Sequence, residues 1–437
     1  MCSIAGSANV KDVQTMLSLM NHRAPDDSGI ISDGSFAMGM GRLAIIDLIS
    51  PHLCPIQDEN YVLVFNGELF NYLELKEELI KLGHTFNTKS DSEVLLKAFR
   101  EWGKESLAKF NWMGAFAIYD GRHIFLARDI SGEKPLYYSL GPFEFASESK
   151  ALGFHCYEFP PARFGTYDPD TGELTIEQYW HKPTHKYEGS FEEATEELEG
   201  LLGRAVELRT RADVPYGLYL SGGIDSTLIS TYHRFSHRFT YRDGDFKEEF
   251  LEVFPRILWH LDGPVKTFTP FGLWKLAEEA SKKVKVVLSG EGADELFGGY
   301  IRYVPNEFNR KARERFPSYR ALFPFHDMLQ EEFDGNMREL LRMGDRMASA
   351  FGMENRCPFL DKNIIEFAMS LPMEWKINGY ETKIILRELL KKRKPDYEFE
   401  EKKGLYCSVN EWLGEKDPFD KRRYISFQEE LWKKFVS

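Results

Sequence analysis

Cysteine is scarce in this chain: five residues in 437, at positions 2, 54, 156, 357 and 407, odd in number and with no CxxC pair. That scatter excludes a disulfide framework and a zinc cluster of closely spaced thiols, and it suits a reducing compartment. Long apolar runs are missing as well. Nothing approaches the ~18 residues that a membrane span needs, and no basic stretch followed by an apolar one opens the chain, so the expected location is the cytoplasm. Positive charge is in the minority, with 56 Lys and Arg against 69 Asp and Glu and a net charge of −13. This argues against a general nucleic-acid or anionic-membrane surface, because phosphate binding needs a basic footprint, while leaving room for a local anion pocket. There is no internal repeat, no low-complexity segment and no GxxxxGK[ST] loop of the P-loop NTPases.

What is present is an ordinary globular composition, 43% hydrophobic and 29% charged, in a length that predicts two or three domains, each with its own core. Up to about residue 185 the pattern is one of short strands broken by turns. Tyr61–Phe65 (YVLVF), Ala115–Tyr119, Ile124–Ala127 and Phe143–Ala146 read as strands. Asn71 followed by Glu74 predicts a capping box for a helix that ends near Gly83, and Ser92–Trp102 predicts a second helix stopped by Gly103. The polar stretch from Trp180 to Ser190 reads as a linker. Beyond it the pattern turns helical, beginning with Glu192–Arg209. Short apolar strands at Leu218–Leu220 and Val284–Leu288 each lead into a glycine-rich turn. A strand-rich domain over 2–185 and a helix-rich domain with a small parallel sheet over 190–437 are therefore expected, an α+β and α/β combination.

Cys2 would carry a thiol nucleophile and a free α-amine on one residue once Met1 is removed, an arrangement in which the amine serves as base. Position alone leaves ordinary packing the stronger explanation. Around it stand polar clusters where turns are expected, including Asn21–Asp26, Gly41-Arg42, Asn66-Gly67-Glu68 and Ser90–Glu93. Each has a modest explanation: Asn66-Gly67 as a hairpin turn, Asp91 as a helix cap, Arg42 as a surface pair. Taken with Cys2 they suggest more. Asn66 and the Gly67 N–H can form an oxyanion hole, Arg42 can hold a carboxylate and Asp91 an ammonium. A ligand with all three features is an amino-acid amide, and glutamine fits.

In the second half, Pro215–Leu220 ends in Ser221-Gly222-Gly223-Ile224-Asp225-Ser226 and runs into a helix. Glycines let the backbone approach a ligand, the helix N-terminus suits pyrophosphate, and Asp225 suits Mg²⁺. A second unit, VVLSGEGADELFGGY over 286–300, repeats the arrangement with Ser289, Gly290, Glu291 and Asp294. Active sites of open parallel sheets lie at such carboxyl ends of strands. Glu354–Asp361 (ENRCPFLD) and Lys383–Arg387 follow.

The segments MCSIAG, HRAPD, GRLAIIDL, FNGELFNY, SDSEVLL, GAFAIYD, ARDISGEKPLYY and FASESKAL resemble the class II glutamine amidotransferase domain, an Ntn hydrolase. SGGIDS, SGEGADELFGGY, ENRCPFLD and TKIILREL resemble the PP-loop ATP pyrophosphatase domain of the asparagine synthetase B family. The resemblance implies an αββα sandwich followed by an adenine nucleotide α-hydrolase-like domain, and glutamine-dependent amidation of aspartate with ATP and Mg²⁺. Glutamine, aspartate and ATP are the implied substrates, with no nucleic acid or membrane partner and a homodimer among the arrangements considered. It implies Cys2 as nucleophile, Asn66 and Gly67 as oxyanion hole, and Arg42, Glu68 and Asp91 as glutamine ligands. It further implies Leu220, Ser221, Gly222, Gly223, Asp225, Ser226, Ser289, Gly290 and Lys383 around ATP and pyrophosphate. Asp225 and Asp294 would hold the metal, Glu291 would act in catalysis, and Glu354 and Asp361 are implied for the acceptor. One departure is large: between Ser236 and Val284 the chain is shorter than the family pattern. A ligase for a different carboxylate, or a glutaminase with a degenerate second domain, therefore remain open.

Overall fold

The computed structural model describes residues 1–300, 303, 325–399 and 425–430, apart from His52, Phe154, Asp243, Lys266 and Tyr380. Two antiparallel six-stranded sheets form the first body. One contains Ser3–Ser7, Asp27–Ser32, Ala37–Arg42, Tyr137–Leu140, Phe143–Ala146 and Tyr157–Glu158. The other contains Ile56–Asp58, Tyr61–Leu69, Trp112–Tyr119, Ile124–Arg128, Arg163–Asp168 and Glu173–Gln178.

Strand alternation explains how they stack. Val62 and Val64 point into the layer between the sheets with Ile4, Met38 and Met40. Leu63 and Phe65 point the other way, onto Leu75, Leu79, Leu95 and Phe99 of helices Tyr72–Lys81 and Asp91–Trp102. Both faces are buried, so YVLVF reads as an unbroken apolar run rather than an alternating one. Helix Val10–Leu19 covers the other sheet through Val13 and Met16 against Ala5 and Ala37. The result is a helix–sheet–sheet–helix sandwich.

The second body is built on four parallel strands in the order His237–Phe239, Tyr216–Tyr219, Val286–Leu288, Glu354–Arg356. The first strand in the chain, Tyr216–Tyr219, has later strands on both sides, so the winding reverses beside it. At such a switch point the carboxyl ends of strands leave an open crevice. Helix Phe191–Arg209 enters this body through a capping box between Ser190 and Glu193 and buries Leu198, Leu202 and Val206.

Two local expectations are corrected. Strand Tyr61–Leu69 does not stop before Asn66-Gly67 but runs through both residues, which pair with Ala115 and Gly114, so there is no hairpin turn there. Asn71 makes no capping bond. Its amide donates to the Lys109 carbonyl and accepts from the Asn111 N–H, while Glu74 is drawn away to Arg211. A tertiary bridge outcompeted the local box.

Candidate functional site

The first site lies where the N-terminal strand, the end of strand Ala37–Arg42, strand Tyr61–Leu69 and the start of helix Asp91–Trp102 meet the edge of the second body. Glu354 marks the meeting point: its charge acts on Cys2, on the α-amine beside it, on Glu68 and on Asp91. The Met1 amine lies 3.5 Å from the Met353 carbonyl, and burial lowers it from 8.0 to about 5. The Met1 amine is therefore neutral near pH 7. Burial raises the Cys2 thiol, opposed by the neighbouring amine, the Leu43 N–H and Arg42. A proton acceptor is therefore needed to make the thiolate.

Asn66 is fully buried, and neither its carbonyl oxygen nor its NH₂ finds a protein partner among the described residues. An orphaned buried amide costs about 1–3 kcal/mol, so it calls for a ligand. Gly67 lies across from Gly114, and a side chain there would collide with the Met113 carbonyl. Arg42 uses one nitrogen on the Ile46 and Asp47 carbonyls, at 2.9 and 2.7 Å. Asp91 is not the cap of its helix; Ser90 is, and Asp91 accepts the Leu69 N–H at 3.0 Å. Glu68 is paired with Arg356 of the second body at 2.8 Å. Its carboxyl is pushed well up by burial and by Asp91.

The second site fills the crevice of the parallel sheet. After strand Tyr216–Tyr219, the loop is tied by Ser226 Oγ, which accepts the Ser221 N–H at 3.1 Å, and Gly222 takes φ +80°, a value that favours glycine. Asp225 on the helix Ile224–Ser230 and Asp294 both hold the ammonium of Lys383, at 2.5 and 2.7 Å. Among the described residues no three His, Cys, Asp or Glu side chains converge as a metal cage. Two carboxylates meeting on a cation do fit Mg²⁺, which takes few protein ligands when phosphates supply the rest.

Ser289 follows strand Val286–Leu288, and its N–H donates to the Arg356 carbonyl at 3.0 Å. Glu291 is held by Asn355 Nδ2 at 2.9 Å and the Cys357 thiol at 3.5 Å. Burial raises its carboxyl from 4.5 to about 7. Glu354 is bonded to Arg356 Nε at 2.8 Å. Asp361 caps helix Lys362–Ser370 and accepts from Arg209 and Asn111, both at 2.8 Å. Its carboxylate thus bridges the two bodies.

One strand separates the two sites. In Glu354-Asn355-Arg356 alternate side chains face opposite ways: Glu354 and Arg356 toward Glu68 and Cys2, Asn355 toward Glu291. Arg356, Asn355, Arg23 and Lys134 were given no role at the site by the sequence. Each sits inside a quoted motif, and a charged residue within an apolar stretch such as ENRCPFLD was the only available signal.

Residues 1–167 match the glutamine amidotransferase domain family, and residues 197–242 and 245–429 match the asparagine synthase family. "Asparagine synthetase [glutamine-hydrolyzing] 1" of Bacillus subtilis is 28% identical over 557 positions, covering 94% of this chain and 88% of its own length. "Asparagine synthetase B [glutamine-hydrolyzing]" of Escherichia coli is 30% identical, covering 89% and 78%. The Bacillus alignment is 557 positions long against 437 residues here, so at least 120 of those positions have no counterpart in this chain. The asparagine synthase match breaks between residues 242 and 245, within the segment the sequence marks as short. No helix of the described residues is long and apolar enough to cross a membrane.

Proposed function

The chain belongs to the asparagine synthase family and carries a glutamine amidotransferase domain ahead of it, and on that premise we propose how its residues perform glutamine-dependent asparagine synthesis. The observation that carries the reading is the single strand Glu354–Arg356, which faces a nucleophile with an orphaned amide on one side and a nucleotide-type crevice on the other.

At the first site the glutamine carboxylate pairs with Arg42 and its ammonium with Asp91. The amine of Cys2, freed by removal of Met1, takes the thiol proton. The thiolate attacks the side-chain amide, and the oxyanion is held by Asn66 Nδ2 and the Gly67 N–H. The amine passes that proton to the amide nitrogen, so collapse releases ammonia and leaves a thioester that water hydrolyses to glutamate, restoring the thiol. At the second site the aspartate side-chain carboxylate attacks the α-phosphorus of ATP, giving an acyl-adenylate and pyrophosphate. The loop 221–226 donates N–H groups to the departing pyrophosphate, and Lys383 swings from the two aspartates to neutralise it. Asp225 and Asp294 would hold Mg²⁺, which supplies charge neutralisation at the phosphates. Ammonia attacks the acyl carbon, AMP leaves, and Glu291 takes the proton that nitrogen sheds. A carboxyl near pH 7 is matched to that task.

The test is product analysis by mass spectrometry, with amide-labelled glutamine, ATP, Mg²⁺ and a panel of carboxylates. Labelled asparagine and an equal yield of AMP are expected. Label in the amide of another acid would favour the second reading, a related ligase, which the shortened segment between Ser236 and Val284 supports. Labelled ammonia with no AMP would leave a glutaminase alone.

A further inference from the structure

Arg23 is fully buried, and its guanidinium reaches in two directions. Nε donates to the carbonyl oxygen of Cys2 at 3.0 Å. Nη1 and Nη2 donate to the two oxygens of Asp345 at 2.9 and 3.3 Å. Nη1 also reaches Glu148 at 2.9 Å and Ser349 Oγ at 3.2 Å. Asp345 and Ser349 stand one turn apart on the helix Asn336–Ser349 of the second body. The residue before Asp345 lies against the other site: a Cβ on Gly344 would sit 2.9 Å from each carboxylate oxygen of Glu291 and 3.2 Å from Asn355 Nδ2. Consecutive residues of one helix thus touch the carboxylate of the ATP-dependent site and the ion pair that holds the nucleophile's own backbone.

The geometry points to Asp345 as a positioning residue for Cys2, and to helix Asn336–Ser349 as the element through which occupancy of the second site reaches the first. Three features make the link stiff. The Arg23–Asp345 contact is forked and dry, so it is directional and little screened by salt. Arg346, the next residue, is buried and paired with Glu148 and with Asp262, which fixes the roll of the helix. Lys134 lies 3.7 Å from Asp345 and donates to the Asn355 carbonyl at 3.0 Å, tying the helix to the strand between the sites. A shift of the helix as Glu291 engages the acyl-adenylate moves Asp345 and, through Arg23, the Cys2 carbonyl. Cys2 can thereby be aligned only when there is an intermediate for its ammonia.

The inference rests on the two-site reading above, and its test separates the two. In full-length Asp345→Asn enzyme, asparagine formation is measured from glutamine and from ammonia, and glutamine hydrolysis is measured with and without ATP plus aspartate. With glutamine, kcat falls about tenfold with little change in the KM for glutamine; with ammonia, it stays within about twofold. Hydrolysis no longer responds to ATP plus aspartate. Equal losses with both nitrogen sources, or a wild-type response, overturn the link. Ser349→Ala, which removes one hydrogen-bond partner of Arg23 without stranding a charge, gives the same pattern in smaller measure and decides the matter should the first variant not fold. Wild-type enzyme that makes no asparagine from ammonia overturns the two-site reading itself, and the link with it.

Discussion

Arg356 Nη2 lies 2.8 Å from Glu68 Oε2, both buried, joining the edge strand of the parallel sheet to the strand that carries Asn66. Arg356 is also bonded to Glu354 and to the Arg209 and Arg211 carbonyls. Removing it strands two carboxylates in a dry interface. Arg356→Met should destabilise the protein by about 3–5 kcal/mol, read from denaturant unfolding, and lower both glutamine- and ammonia-supported synthesis. A variant as stable as wild type would mean the pair is solvated in solution.

Cys2→Ala should lower glutamine-supported synthesis by at least about a thousandfold while ammonia-supported synthesis persists. Loss of both in a correctly folded protein would sink the division of labour between the sites.

Asn66→Ala should lower kcat for glutamine hydrolysis by about 10²–10³, as expected for one oxyanion donor. The same change relieves a buried amide without a partner, so thermal stability should hold or rise slightly. A drop in stability with unchanged hydrolysis would assign Asn66 to the framework.

Glu291 is raised to about 7 by burial, so the folded protein holds its proton more tightly than the unfolded chain does. Its contribution to stability is present below pH ~4.5 and is lost as pH rises through ~7. Glu133, raised to about 8 by burial, acts in the same direction, so the comparison must be with Glu291→Gln. Ammonia-supported synthesis should rise with pH through an inflection near 7 that this variant lacks, at a rate reduced by about 10²–10⁴. An identical profile in the variant would move the proton acceptor elsewhere.

Chelation of divalent cations should abolish AMP formation and leave glutamine hydrolysis intact, because only the second site would use Mg²⁺ at its phosphates. Lys383→Ala should act likewise, through lost neutralisation of pyrophosphate and repulsion between Asp225 and Asp294. Hydrolysis that falls in parallel with AMP formation would count against both assignments.

Much of this was legible in the sequence because it is local. SGGIDS needs only its own strand and helix, and YVLVF needs only two apolar faces. What stayed hidden depends on residues far apart in the chain. Asn66-Gly67 reads as a turn, since one sequence does not reveal the partner strand Trp112–Tyr119 that carries the chain straight through it. Asn71 reads as a cap because the competing bridge comes from residues 109 and 111. Arg23 reads as part of a polar turn and Arg356 as one of the charges beside an apolar PFL, but their counter-ions lie far away in the chain and one sequence does not show them, Asp345 for one and Glu68 for the other.

Met1 has 0% exposure, and its amine lies against the Met353 carbonyl. A chain that keeps Met1 has a secondary amide where the base of Cys2 should be. Such a molecule would still amidate its acceptor from ammonia and would be deaf to glutamine.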